Sequence, residues 1–116
     1  MRQVYVSITG LRLHRPWHAP LFWWHALASM RQAQAADGNL MAETRTIDGV
    51  HHTLSVWRDR AALRHYLYSG SHGRAIRAFP TIASGATCGF LAEGPPGWDE
   101  VHEIWRTQGH PYPRAA

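Results

Sequence analysis

The sequence predicts an α+β fold with the element order β-α-β-β-α-β followed by a terminal helix. Three observations carry that prediction. Residues Gln3 to Leu13 alternate apolar Val4, Val6 and Ile8 with Tyr5, Ser7 and Thr9, the period-two pattern of a strand. Asp48-Gly49 separates two further strand-like runs and is a strong signal for a two-residue hairpin. Two stretches of helix formers, Leu21 to Ala36 and Arg60 to Tyr68, place their apolar residues at helical spacing.

In chain order, Arg15 to Pro20 connects the first strand to the first helix, and Pro20 suits a helix's first turn. Along that helix Trp23, Leu27 and Met30 share one face with Trp24 and Ala28 beside them, so Trp24 and Leu27 are expected to be buried. Asp37-Gly38-Asn39 ends it with a glycine. Leu40 to Ile47 and Val50 to Trp57 form the hairpin. Asp59 caps the second helix, whose Leu63, Tyr66 and Leu67 fall on one face. Ser69-Gly70-Ser71 breaks it, and Ser71 starts a short helical piece running to Phe79 before Pro80. Thr87 to Ala92 is the last predicted strand; Trp98 to Gln108 is an amphipathic helix with Val101 and Trp105 on one side.

This is the split β-α-β order of a ferredoxin-like domain, one domain spanning residues 1–116. The apolar set Val4, Val6, Ile8, Leu54 and Val56 is expected to meet the two helices. Tyr5, Ser7, Thr9, His51, Thr53, Ser55 and Trp57 on the other face are expected to meet the sheet of a second subunit, giving a homodimer.

Composition narrows the class. Apolar residues make up 45% and charged residues 17%, which excludes a disordered chain. The net charge is +4, carried by arginine alone, and the basic balance comes without a helix-turn-helix or aromatic RNA-binding signature, so no nucleic acid is expected. The longest apolar run, Ala19 to Met30, is too short for a membrane span. With a single Cys88 and no signal-peptide pattern at the start, the expected compartment is the cytoplasm.

The run Leu54-Ser55-Val56-Trp57-Arg58-Asp59, then Ala62-Leu63, then Ser69-Gly70-Ser71-His72, resembles the dimeric α+β barrels related to antibiotic-biosynthesis monooxygenases. Ile8-Thr9-Gly10-Leu11-Arg12-Leu13 and Phe22-Trp23-Trp24-His25-Ala26-Leu27 resemble more narrowly the spheroidene-monooxygenase-like group. The resemblance covers about residues 3 to 92 and implies a pocket between the sheet and its own helices, wide enough for an apolar ring system. The expected substrate-contacting residues are Phe22, Trp23, Trp24, His25, Leu27, Met30 and Tyr66. Haem-binding members of the superfamily supply a histidine from the second helical region, for which His72 is the nearest match and His65 the fallback. Arg64, Arg74 and Arg77 would then hold the propionates. Of the Asn–Trp–His set found in haem-degrading relatives, Thr9 falls near the Asn position and Tyr66 near the Trp position, so the set is not reproduced.

Each of these residues also has a plainer role. His72 can be a first-turn helix residue satisfied by solvent or backbone, His25 a core or interface histidine, and Arg60 with Arg64 a solvated helix face. His51 and His52 are neighbours on a strand and point to opposite faces, so they cannot chelate one metal together. No zinc-ligand spacing and no nucleophile elbow is present. The expected function is a small-molecule oxidoreductase of monooxygenase type acting on an apolar or aromatic substrate, with His72 or His65 as catalytic group and haem as candidate cofactor. The alternative is a non-catalytic small-ligand or haem-binding protein of the same fold.

Overall fold

In the computed structural model, which describes residues 3–67 and 82–112, five strands form one antiparallel sheet in the order β2-β3-β1-β4-β5. The strands are β1 (Val4–Leu13), β2 (Asn39–Ile47), β3 (Val50–Trp57), β4 (Ala83–Ala92) and β5 (His110–Tyr112). The helices are α1 (Ala19–Ala35), preceded by a 3-10 turn over Pro16–His18, then α2 (Arg60–Leu67) and α3 (Trp98–Gln108). The predicted hairpin is present: Ile47 pairs with Val50, and Asp48 and Gly49 take φ of 51° and 77°, the two left-handed positions such a turn requires. Asp59 Oδ1 accepts a 2.8 Å bond from Ala62 N and caps α2 as expected. The helical piece expected from Ser71 to Phe79 lies outside the described residues.

Two elements differ from the sequence prediction. β4 begins at Ala83, four residues before the predicted Thr87, because Ala83 to Ala86 pair with Leu13 to Gly10 although their small side chains carry no strand signal. β5 was not predicted; its Pro111 sits on an edge strand, where a missing N–H costs nothing.

The two faces of the sheet are covered the other way round from the sequence expectation. Val6, Ile8, Leu54, Val56 and Cys88 pack with Val101 of α3, and Trp98, Ile104 and Trp105 close over them. The mixed face of Tyr5, Ser7, Thr9, His51, Thr53 and Ser55 lies beneath α1 and α2 of the same chain, not against a second sheet. Period-two alternation separates the faces but does not say which helix covers which. α3, predicted as an amphipathic helix with Val101 and Trp105 on one side, takes the apolar side with those residues inward.

α1 is also rotated from the expected orientation. Its buried residues are Phe22, Ser29, Met30 and Ala33, whereas Trp24 and Leu27 are 73% and 49% exposed. Burial of Trp24 and Leu27 is therefore corrected. The helix carries apolar side chains on two sides, so spacing alone permitted either orientation.

α3 docks through one aromatic contact and one polar chain. The Trp105 indole lies over Gly10, so closely that a Cβ there would stand 2.5 Å from Cε2, and Trp105 Nε1 donates to Ala86 O at 2.7 Å. Fully buried His52 sits against the edge of the same indole, with ring centroids 5.0 Å apart. Its Nε2 shares a 2.8 Å hydrogen bond with His102 Nδ1, and His102 Nε2 lies 3.8 Å from the Asp48 carboxylate. Burial foremost, then the neighbouring His102, pulls the His52 pKa down to about 4.

Candidate functional site

Between the mixed face of the sheet and α1 and α2 lies a cavity of about 530 Å³. That volume falls in the range of pockets that enclose a drug-sized ligand. Its floor is polar because strands β1, β3 and β4 present Ser7, Thr9, Thr53, Ser55 and Thr87 on one face, with Tyr5 and His51 at the ends. Its roof is apolar, since α1 contributes Phe22, Ala26, Met30 and Ala33, and α2 contributes Leu63 and Tyr66. Arg60 and Arg64 stand on the wall, and no carboxylate lines the cavity among the described residues. An anionic ligand is therefore favoured over a cationic one.

The floor is partly self-satisfied. Thr9 and Thr87 hydroxyls lie 3.0 Å apart, and Thr87 Oγ1 also donates to Ile8 O at 3.1 Å. Tyr66 Oη donates to Ser29 O at 2.8 Å and ties α2 to α1 over the cavity. Ser29 Oγ, on the same wall, is buried and makes no hydrogen bond. A buried hydroxyl left this way costs free energy that a ligand group can recover.

Two histidines line the cavity, His110 from β5 and His51 from β3, and His51 is the one held by described contacts. Its Nδ1 lies 2.8 Å from Thr46 Oγ1, and its ring packs against Phe22 and Trp23 at centroid distances of 4.9 and 5.2 Å. Burial lowers its pKa, which keeps the imidazole neutral at pH 7. In the tautomer whose Nδ1–H donates to Thr46 Oγ1, Nε2 is left to accept a proton. Sequence reasoning put His51 and His52 on opposite faces and gave neither a role, since nothing local says which face holds the cavity. Cys88 packs in the core, where burial raises its thiol pKa and disfavours the thiolate.

The sequence-predicted residues divide into three groups. Phe22, Met30, Tyr66 and Arg64 lie on the cavity wall. Trp23 stands behind the wall against His51 and Phe22. His25 is half-buried and does not line the cavity, and Trp24 and Leu27 face away from it because α1 turns its other side inward. His65 is exposed on α2 and also off the cavity. His72, Arg74 and Arg77 lie outside the described residues. For haem, Arg60 and Arg64 could meet carboxylates, whereas His65, the one expected iron ligand among the described residues, does not stand on the wall. Among the described residues no group of three or more His, Cys, Asp or Glu converges as a metal site.

No family model and no curated protein matches the chain. Solved structures do. A protein of Nitrosomonas europaea, proposed to be an antibiotic biosynthesis monooxygenase, superposes with a TM-score of 0.67 at 11% identity, over 78% of this chain and 89% of that one. The chain has the ferredoxin-like α+β fold of that protein. A protein of Caulobacter crescentus with the same proposed activity shares this fold at a TM-score of 0.64 and 18% identity, over 82% and 92% of the two chains. SnoaB, a cofactor-independent oxygenase from Streptomyces nogalater, shares it at 0.61 and 13% identity, over 83% and 97%. At these identities the likeness is one of fold, and the chemistry has to be argued from the cavity.

Proposed function

We infer that the protein is a small-molecule oxygenase that binds an apolar or aromatic ring system in the cavity and uses His51 as general base. The observation that carries this reading is a neutral imidazole, oriented by Thr46 and packed on two aromatic rings, in a cavity with two guanidinium groups and no carboxylate. Proton abstraction from a substrate carbon needs a base that is unprotonated at working pH and an environment that tolerates the resulting anion. His51 provides the first, with Nδ1–H donating to Thr46 and Nε2 accepting. Arg60, Arg64 and the floor hydroxyls provide the second.

The fitting substrate class is a fused-ring compound with an acidic methylene between aromatic rings that conjugate it to a carbonyl. His51 takes one proton and leaves a delocalised carbanion. Its electrons reduce dioxygen to a carbon-bound peroxide, which takes back the proton from His51. The remaining C–H proton is then lost as the O–O bond breaks, leaving a carbonyl and releasing hydroxide that takes that proton and departs as water. Methylene plus dioxygen gives carbonyl plus water, so the sum balances without an outside reductant. The likeness to a cofactor-independent oxygenase supports this route over a haem-dependent one. We place the protein in the cytoplasm as a homodimer, with its contact on the side bearing α3, where Val4, Met41 and Phe90 are only partly covered.

The test is oxygen uptake with the tricyclic anthrone as probe, without added metal or reductant. The wild type should consume oxygen, and His51→Gln should lower kcat by about a hundredfold while anthrone still quenches tryptophan fluorescence. Quenching without oxygen uptake in the wild type would make the protein a binder instead of an enzyme. A Soret shift on adding haemin, with uptake only in its presence, would overturn the cofactor-independent route.

A further inference from the structure

We propose that the outer face of α1, continued by the turn before it, is a peripheral docking surface for an anionic lipid bilayer. Trp17, Leu21, Trp24 and Leu27 stand 71%, 47%, 73% and 49% exposed. Their spacing sets them along one stripe of the 3-10 turn and helix, opposite the buried Phe22, Met30 and Ala33. Packing on the sheet accounts for one side of this helix and leaves two Trp and two Leu on the other facing water. A contiguous apolar patch of that kind marks an interaction surface.

Charge selects the occupant. The first 36 residues contain no Asp or Glu, while exposed Arg15 and Arg31 flank the stripe at its two ends. The Arg15 guanidinium lies 6.0 Å from the Trp17 ring centroid, so cation and aromatic face present themselves together. A second copy is a poor partner for this face. Two-fold pairing of antiparallel helices would set the Arg15 end of one copy against the Arg31 end of the other, with no carboxylate between them. An anionic bilayer meets both requirements: tryptophan rings settle at the headgroup boundary, and each arginine near the surface strengthens binding roughly fivefold. The helix in contact with lipid is also the roof of the cavity. One helix diameter, about 10 Å, would then separate an apolar phase from the site where an apolar ligand is held.

The experiment is co-sedimentation with vesicles of phosphatidylcholine alone and of equimolar phosphatidylglycerol and phosphatidylcholine, paired with light scattering. The wild type should bind the anionic vesicles at least about tenfold more tightly than the neutral ones, and added salt should weaken binding. Trp17→Ser/Trp24→Ser should lose the vesicles while keeping the wild-type melting temperature, because both side chains are already exposed. Arg15→Gln/Arg31→Gln should keep only the weak, salt-insensitive binding. Three results would each overturn the proposal: absence of vesicle binding, equal binding by the double-tryptophan variant, and a stripe-dependent oligomer that ignores lipid. None of them depends on anthrone turnover, so this surface and the cavity chemistry stand or fall separately.

Discussion

Replacing Gly10 with Ala tests how α3 is held. The added methyl would lie 2.5 Å from Trp105 Cε2, 2.7 Å from Nε1 and 2.8 Å from His52 Cε1, so the indole must move. Overpacking of this kind costs about 1–3 kcal/mol. A displaced indole also loses the 2.7 Å bond from Nε1 to Ala86 O, worth roughly 0.5–1.5 kcal/mol. The smaller backbone entropy of alanine in the unfolded chain returns about 0.4–1 kcal/mol. The net expectation is a loss of about 2–3 kcal/mol, and each kcal/mol lowers the melting temperature by about 4 °C in a domain of this size. Urea unfolding of Gly10→Ala, Trp105→Ala and the double variant gives the decisive comparison. Once the indole is gone the His52 ring can move into the space it leaves and clear the methyl, so Gly10→Ala in the Trp105→Ala background should change stability by less than about 0.5 kcal/mol, a coupling near 2 kcal/mol. Additive losses, or a Gly10→Ala protein as stable as wild type, would refute the docking of Trp105 on β1.

Two further outcomes follow from the same geometry. The folded-state pKa of His52 is about 4, below its unfolded value of 6.5, so the unfolded chain binds more protons between those values. Stability should then be full above about pH 6.5 and fall as pH drops toward 4, by on the order of 2 kcal/mol, with His51 adding in the same direction. Urea midpoints at pH 7 and pH 5 check this, and an equally steep fall in His52→Gln would remove His52 as its source. For the homodimer, light scattering at micromolar concentration should return twice the 13.1 kDa chain mass, and a monomer mass would remove the dimer.

Most of the strand and helix order is readable from local signals, because each signal is a property of neighbouring residues. The Asp48-Gly49 turn, the Asp59 cap and the alternation of β1 and β3 all appear where the residues predict them. What is not readable is the pairing of faces. Alternation puts His51 and His52 on opposite sides, but only the packing of α3 makes His52 a core residue and leaves His51 to the cavity. That packing depends on the missing side chain of Gly10, the indole of Trp105 and the Ala86 carbonyl that accepts from it, three positions with no local relation. The same limit applies to α1, whose two apolar stripes are equivalent by spacing and differ only in what lies beneath them. Trp24 and Leu27 were assigned to the cavity because large apolar residues on a helix ordinarily bury. The inward side instead combines large Phe22 and Met30 with small Ala26, Ser29 and Ala33, a mixture that packs on the sheet and still leaves a cavity, while Trp24 and Leu27 became a surface.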